Sequence, residues 1–398
     1  MMNFRTISPR LRGGSGGLLC AALALHAPVA SAIDCSALPA PFYGQGGSAQ
    51  RPLLARLGAR LSALATPRTL VYQAPGACVG LNSLLNSTRI TGSAAYWDAA
   101  GMERSCDLPV TGQVVDFASV GNQATLCPGV TSLPAGVGEF EGPVTTWNFF
   151  VPTASSQRSI STEAAYFVFG FGRDGMAAPW TDEAAIIRRD ANSAAQIVVS
   201  LATGVPVERF RGVDAMTNAR SISLVAMATN AEAAIGFASG ENVDANRAVV
   251  RTLAYQHTGQ TCGYWPDSTA TAFDKRGVRE GLYWLWTTTR FYARVDASRQ
   301  ITNASVRDMV AWFTGQAAPP PEVPVLDLTI QNGNIPLCAM RVARTRDLGP
   351  LMSYAPSAPC GCYFERVATG STACAACTSS STCPASAPTC RNGFCEVN

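Results

Sequence analysis

The chain has 398 residues, 47% of them hydrophobic and 14% charged, and 30 Lys and Arg against 27 Asp and Glu leave a formal net charge of +3. That length and apolar content provide for two or three domains with real cores. A charge this close to balance lacks the basic surface of a non-specific nucleic-acid binder, so no nucleic-acid partner is expected.

Residues 1–32 read as a secretory signal peptide. Arg5, Arg10 and Arg12 form a basic start, residues 18–25 a short apolar core, and Ala30-Ser31-Ala32 a cleavage signal. The apolar run is too short to span a bilayer, and no later stretch is long enough, so a membrane-spanning protein is not expected. The expectation is a periplasmic, secreted or cell-surface chain, working as a monomer. Removal of that segment takes away three Arg and no acid, so the remainder is near neutral, +3 minus 3. Of 14 cysteines, Cys20 leaves with the signal and 13 remain. Export implies disulfides, and an odd number leaves at least one thiol free or paired outside the chain.

In chain order, Gly44-Gln45-Gly46-Gly47-Ser48 reads as a flexible turn with Ser48 placed to cap a helix. Leu53, Leu54, Leu57, Leu61 and Leu64 line one face of that helix, and Pro52 falls in its first turn. Residues 69–73 read as a strand. A Gly-containing turn at 74–77 then leads to a helix with Leu81, Leu84 and Leu85 on one side. Residues 86–109 show no period and read as a long loop, and 114–118 as a short strand. Cys106 and Cys127 bracket that region as plausible partners, with connectivity open. Residues 144–151 form a buried strand by their aromatic and β-branched content, and Ser161 caps a helix over 161–169.

Residues 186–203 carry the strongest local signal. Ile186-Ile187 read as a strand that runs into Arg188-Arg189 and a polar turn at 190–192. Ala194, Ile197, Val198 and Leu201 then recur at helical spacing, with Asn192 or Ser193 as cap and Gly204 and Pro206 as the stop. Residues 222–228 and 234–238 read as strands, the aromatic group at 283–286 as core, and 306–314 as a helix. Residues 317–325, with four prolines, read as a stiff linker. The cysteine-rich region beyond it must be stapled, because its composition cannot build a sizeable core. Disulfides account for its cysteines better than zinc, since only one C-x-x-C is present and no histidine.

Three of these helices begin at small or Gly-containing turns, near Gly46-Gly47-Ser48, Gly76-Ala77-Cys78 and Ser193-Ala194-Ala195. Unpaired N–H groups at such places suit an oxyanion, and Arg189 adds a fork of donors matched to phosphate or carboxylate. Ordinary capped helices in an α/β protein are the competing account. His257, the one histidine left after the signal, has no G-x-S-x-G or H-E-x-x-H frame around it. Asp267 and Asp274, near Lys275, Arg276 and Arg279, read as structural ion pairs.

Taken together, several stretches resemble the phosphate-binding periplasmic proteins of the ABC phosphate transporter, the PstS-like branch of the two-lobed solute-binding proteins. GQGGSAQRP resembles the family's opening Gly-rich turn, and Tyr72-Gln73-Ala74-Pro75-Gly76-Ala77 its YQ-x-x-G-S turn. Val115-Asp116-Phe117 with Ala118 and Ser119 resembles its DFGAS segment. Pro179-Trp180-Thr181-Asp182, then Arg189 with Ser193 four residues on, resemble its R-x-x-x-S-G-T anion motif. Ala234-Ile235-Gly236-Phe237 resembles a later strand. The resemblance covers about residues 40–315.

What the resemblance implies is a two-lobed α/β periplasmic-binding-protein-like fold with a small disulfide-rich C-terminal tail. Lobe one is expected over roughly residues 40–145 and 245–315 and lobe two over 146–244. Strands near 145–151 and 251–255 form the hinge, 317–325 the linker, and 326–398 the Cys-rich region. The implied ligand set is Arg189, Ser193, the N–H groups of Ala194 and Ala195, Ser48 with Ala49, Ala77 and Gly121. Three of these depart from the pattern. Ala77 occupies the place of a binding serine, Ser193-Ala194-Ala195 replaces SGT, and Gly121 aligns with the carboxylate that accepts the proton of hydrogen phosphate. The expected function is capture of phosphate or a related oxyanion for ABC-type uptake or sensing, with a permease or surface partner. No cofactor, metal or chemical step is expected. A non-transport interaction protein with a degenerate anion site is the second reading, and a secreted phosphate-ester hydrolase the third.

Overall fold

Residues 33–397 are described from a computed structural model of the chain; the signal-peptide reading lies outside the described residues. A mixed sheet of twelve strands organises them. In chain order these are β1 (Ile33–Asp34), β2 (Pro41–Gly46), β3 (Thr69–Gln73), β4 (Ser93–Trp97), β5 (Glu103–Asp107) and β6 (Phe117–Val120). There follow β7 (Val137–Pro152), β8 (Ile186–Arg188), β9 (Val213–Asp214), β10 (Ile235–Ser239), β11 (Val250–Thr252) and β12 (Trp286–Arg294). Across the sheet the order is β1-β5-β4-β3-β2-β6-β12-β7-β10-β8-β9, with β11 also on β7.

Strand β7 is the shared element. From Val137 to Thr146 it pairs antiparallel with β12, and from Trp147 to Phe150 with β10. Residues 142–152 are buried throughout, as expected of a strand covered on both faces. On one side of β7, β2 pairs parallel with β3 and β6, with helices α1 (Arg51–Ser62) and α2 (Ala77–Leu85) as the connections. On the other, β8 pairs parallel with β9 and β10. There α3 (Thr162–Phe171), α4 (Ala194–Thr203) and α5 (Asn218–Ala226) join the strands. Parallel neighbours require such crossovers, and helix starts then gather at the carboxyl ends of the strands.

Local rules account for the helices. Ser161 Oγ accepts the N–H of Ala164 and starts α3. Gly204, in the left-handed region, ends α4. Helix α1 buries Leu53, Leu54, Leu57 and Leu61.

Several expectations are corrected. Residues 86–109 are not a loop, because β4 and β5 pair antiparallel there and β4 joins β3. The strand expected at 114–118 lies at Phe117–Val120. Residues 222–228 fall largely in helix α5, whose start is capped by Thr217 Oγ1 accepting the N–H of Arg220 and whose buried face is Ser221, Ile222 and Val225. Ser48 caps no helix; Gln50 holds the cap position of α1 without a side-chain bond. Cys106 pairs with Cys35, and Cys127 with Cys78. Among the described residues, Cys262 is the free thiol. The segment 250–256 stays with the β7–β10 half. There β11 pairs with β7, Ala254–Gln256 pairs with Ser159–Ser161, and the chain returns to β6 only at β12.

Beyond α6 (Gly240–Asp244), α7 (Arg276–Arg279) and α8 (Ala304–Thr314), the proline-rich segment runs into α9 (Val325–Gln331). It packs down, with Val323 and Val325 buried beside α1 residues Leu54 and Leu57. Ile335 then exchanges backbone hydrogen bonds with Val144 of β7, at 2.7 and 3.0 Å. Helix α10 (Gly361–Thr369) contributes Phe364 to the apolar cluster that holds Val144 and Trp147. Disulfides Cys338–Cys360, Cys362–Cys374, Cys377–Cys390 and Cys383–Cys395 staple this region. Among the described residues, no helix is long and apolar enough to cross a membrane.

Candidate functional site

The strand–turn–helix unit at 186–203 builds one wall of a small cavity. Ile186 and Ile187 are buried in the sheet and fix where the chain leaves it. Asp190 closes the following turn, accepting the N–H of Asn192 on Oδ1 at 2.9 Å and that of Ser193 on its carbonyl at 3.0 Å. Ser193 takes the cap position of α4 with its side chain unbonded to the helix. Ala194 and Ala195 follow in the first turn, where a helix offers no acceptor to its own N–H groups. Being small, they leave those groups accessible from the cavity.

Three further segments complete the enclosure. They are the loop Gly47, Ser48 and Ala49, the start of α2 at Gly76 and Ala77, and Asn218 at the start of α5, with Trp147 of β7 as a flat wall. The cavity measures about 10 Å³, close to the least that holds a single water, so any larger guest requires its walls to move apart. Helices α2, α4 and α5 all begin at it, so their positive dipole ends converge.

Arg189 is the charged group of the site and is 3% exposed. Its Nη1 donates to Asn218 Oδ1 at 2.8 Å and its Nη2 to the Met216 carbonyl at 2.7 Å. The Nε has no partner. No ion pair of Arg189 occurs among the described residues; nearby Asp214 pairs instead with Arg188 at 3.3 Å. Burial lowers the pKa of Arg189, with Asp190 and Asp214 partly offsetting it. A buried guanidinium held only by neutral acceptors lacks a counter-charge, and burial makes that costly.

Seven of the eight expected residues therefore line one cavity: Ser48, Ala49, Ala77, Arg189, Ser193, Ala194 and Ala195. Gly121 does not. A Cβ at Gly121 would stand 2.6 Å from Trp147 Cζ2, so the indole fills the space a side chain there would need. Trp147 is held in place by its Nε1, which donates to Thr287 Oγ1 at 2.8 Å, and that hydroxyl donates to the Gly121 carbonyl at 2.6 Å.

Asn218 and Trp147 are the residues that sequence reasoning missed. Asn218 accepts from Arg189 and donates its backbone N–H to Ser48 Oγ at 3.4 Å, joining the two sides of the cavity. The signal that could have found it is Thr217, a capping residue directly ahead. His257 lies elsewhere, stacked on Trp284 at 4.4 Å between ring centroids. Asp267 and Lys275 form a buried ion pair at 3.0 Å, as expected, while Lys275 also reaches Asp244 at 2.6 Å.

No protein-family model matches the sequence, and no curated protein does. Solved structures do. A candidate phosphate ABC transporter substrate-binding protein with bound phosphate from Clostridium perfringens matches over 75% of this chain and 99% of its own, with 10% identity and a TM-score of 0.52. An ABC-type phosphate transport receptor from Vibrio cholerae matches over 74% and 99%, with 14% identity and a TM-score of 0.46. PstS from Borrelia burgdorferi matches over 75% and 98%, with 13% identity and a TM-score of 0.40. The first shows the fold: the chain has the α/β architecture of the periplasmic binding proteins, with a disulfide-bonded C-terminal region added.

Proposed function

We propose that the chain captures a small tetrahedral oxyanion, phosphate foremost, in the cavity at Arg189, as an exported solute-binding protein for ABC-type uptake or sensing. The observation that carries this reading is the buried guanidinium without a carboxylate, set where three helices begin. An anion there supplies the missing counter-charge. Arg189 is the anchor through Nε and the open faces of its fork. Ser193 Oγ and the N–H groups of Ala194 and Ala195 bind next, and Ser48 with Ala49 and Ala77 close from the opposite wall.

In this reading the two sides of β7 form two lobes, 40–145 with the chain from β12 to about 315, and 146 to about 256. The guest closes them through its higher affinity for the closed state. An ABC permease or a surface partner would then receive the loaded, monomeric protein. Trp147 stands where a carboxylate would otherwise test the guest for a proton. With no acceptor facing it, a fully ionised anion such as sulfate is not repelled.

Calorimetric titration of residues 33–398 with phosphate, then sulfate, tests the proposal. Saturable one-site binding is expected for both, weakened at least about a hundredfold by Arg189→Ala, since hydrogen bonds to charged groups are each worth about 1.5–3 kcal/mol. A folded protein that is silent to both anions would overturn the reading and favour the non-transport interaction protein.

A further inference from the structure

A second cavity, of about 80 Å³, lies between strand β12 and the segment that follows α9. Its floor is Trp286, Thr288 and Arg290 of β12, and its roof includes Leu337, Met340 and Arg344. It shares no lining residue with the cavity at Arg189.

The donors in this second cavity are arranged unusually. The Arg344 guanidinium lies against two indoles, 4.6 Å from the Trp284 ring centre and 4.2 Å from that of Trp286. Its Nη1 and Nη2 donate to the carbonyls of Trp286 and Trp284 at 3.0 and 2.9 Å. Its Nε meets no partner, and neither do the buried Trp286 Nε1 and Thr288 Oγ1. Trp286 is 3% exposed and Thr288 9%. Arginine and indole N–H groups can only donate, so the cavity presents donors in search of an acceptor.

The charges point the same way. Arg290, Arg344 and Arg346 face Glu141 and Asp347 around the cavity. Asp347 is engaged, pairing with Arg290 at 2.9 Å and accepting the N–H of Gln123 at 2.6 Å. Glu139 and Glu141 also lie against Arg290, at 2.7 and 3.4 Å. Arg344 has no carboxylate in contact, and burial lowers its pKa to about 9. The rest of the lining is apolar, with Val144 fully buried and Leu337, Met340 and Val342 packed beside it.

We propose that this cavity is a binding site for a short-chain monocarboxylate. Its carboxylate accepts from Arg344 Nε, Trp286 Nε1 and Thr288 Oγ1, and its hydrocarbon end lies against Val144, Leu337 and Met340. The volume is about half the ~150 Å³ that admits a benzene ring, which restricts the guest to a few carbons. A neutral guest would leave Arg344 unmatched, and an inorganic dianion would face apolar walls on one side.

The test is titration of residues 33–398 with butyrate, followed by tryptophan fluorescence because Trp284 and Trp286 flank the guanidinium. Isosteric butyramide is the neutral control. Saturable butyrate binding is expected, undiminished in Arg189→Ala and at least about tenfold tighter than butyramide. Thr288→Val, which removes one orphaned hydroxyl from a fold that does not use it, is expected to weaken butyrate about tenfold. Ala343→Leu, which fills the cavity, is expected to abolish binding. Absence of saturable butyrate binding by the folded protein, butyramide binding as tightly as butyrate, or retention of butyrate by Ala343→Leu would each overturn the proposal. So would a crystal grown with butyrate that shows only water in the cavity.

Discussion

Gly121 and Trp147 offer a direct measurement of why the anion cavity lacks a carboxylate. A methyl group at Gly121 would sit 2.6 Å from Cζ2 and 2.9 Å from Cη2 of Trp147, and 3.2 Å from Ala194 Cβ. The indole cannot yield cheaply, being 1% exposed and tied through Nε1 to Thr287. Its carbonyl also accepts Tyr283 Oη at 2.7 Å. Gly121→Ala is therefore expected to cost about 1–3 kcal/mol by overpacking. Trp147→Leu is expected to cost about 2–4 kcal/mol, from lost contacts and a residual void. In the double variant the methyl enters space the indole has left, so its own cost falls below about 0.5 kcal/mol. The coupling is then more than ~0.5 and up to ~3 kcal/mol, read from guanidinium midpoints with all disulfides intact. Costs that add to within about 0.5 kcal/mol would refute the steric account. On the Trp147→Leu background, Gly121→Asp is expected to restore an acceptor and to discriminate against sulfate while hydrogen phosphate still binds.

Glu241, 4% exposed, has its pKa raised by burial from 4.5 to about 7, with Ser239 and its own backbone N–H only partly offsetting the loss of solvent. Between those values the folded protein keeps a proton that the unfolded chain has lost, so stability falls as pH rises from 4.5 through 7. The full loss is on the order of 3 kcal/mol above pH 7, and denaturation midpoints of Glu241→Gln should show that fall removed. Lys275 is 1% exposed and pairs with Asp244 and Asp267. Lys275→Met leaves those acids to Arg247 alone and is expected to lower unfolding free energy by about 3–5 kcal/mol; a loss under ~1 kcal/mol would contradict the pairing. Thiol titration of the unreduced, denatured chain 33–398 should find one reactive group, and Cys262→Ser none.

What sequence could show, and what it could not, divides by range of interaction. The unit at 186–203 was legible because each part is decided locally: β-branched pairing residues, an Asx turn, apolar residues at helical spacing and a left-handed Gly204. Seven cavity residues followed from the family resemblance, which gave meaning to helix starts that small or Gly-rich turns announce. Residues 222–228 were misread as a strand because Ile222 and Val225 carry strand propensity, while the burial of one helical face over β10 overrides it. Residues 93–107 looked aperiodic because their pairing to β3 is non-local and half exposed, which leaves little alternation in polarity. Trp147 could not be placed beside Gly121, nor Cys106 beside Cys35, without the sheet order.

The order of the sheet also sets a timetable. Strand β12 lies between β6 and β7, yet it is encoded after more than a hundred intervening residues, 153–285. A chain that emerges from its N-terminus therefore presents β6 and β7 with unfilled backbone edges until residue 294 arrives. The two N-terminal disulfides need nothing beyond Cys127, so that half can be cross-linked before its central strand exists. Open, apolar edges waiting on a distant segment slow folding and invite pairing with other chains. The architecture that holds a cavity at its middle thus makes the protein depend, during biogenesis, on protection of that same middle.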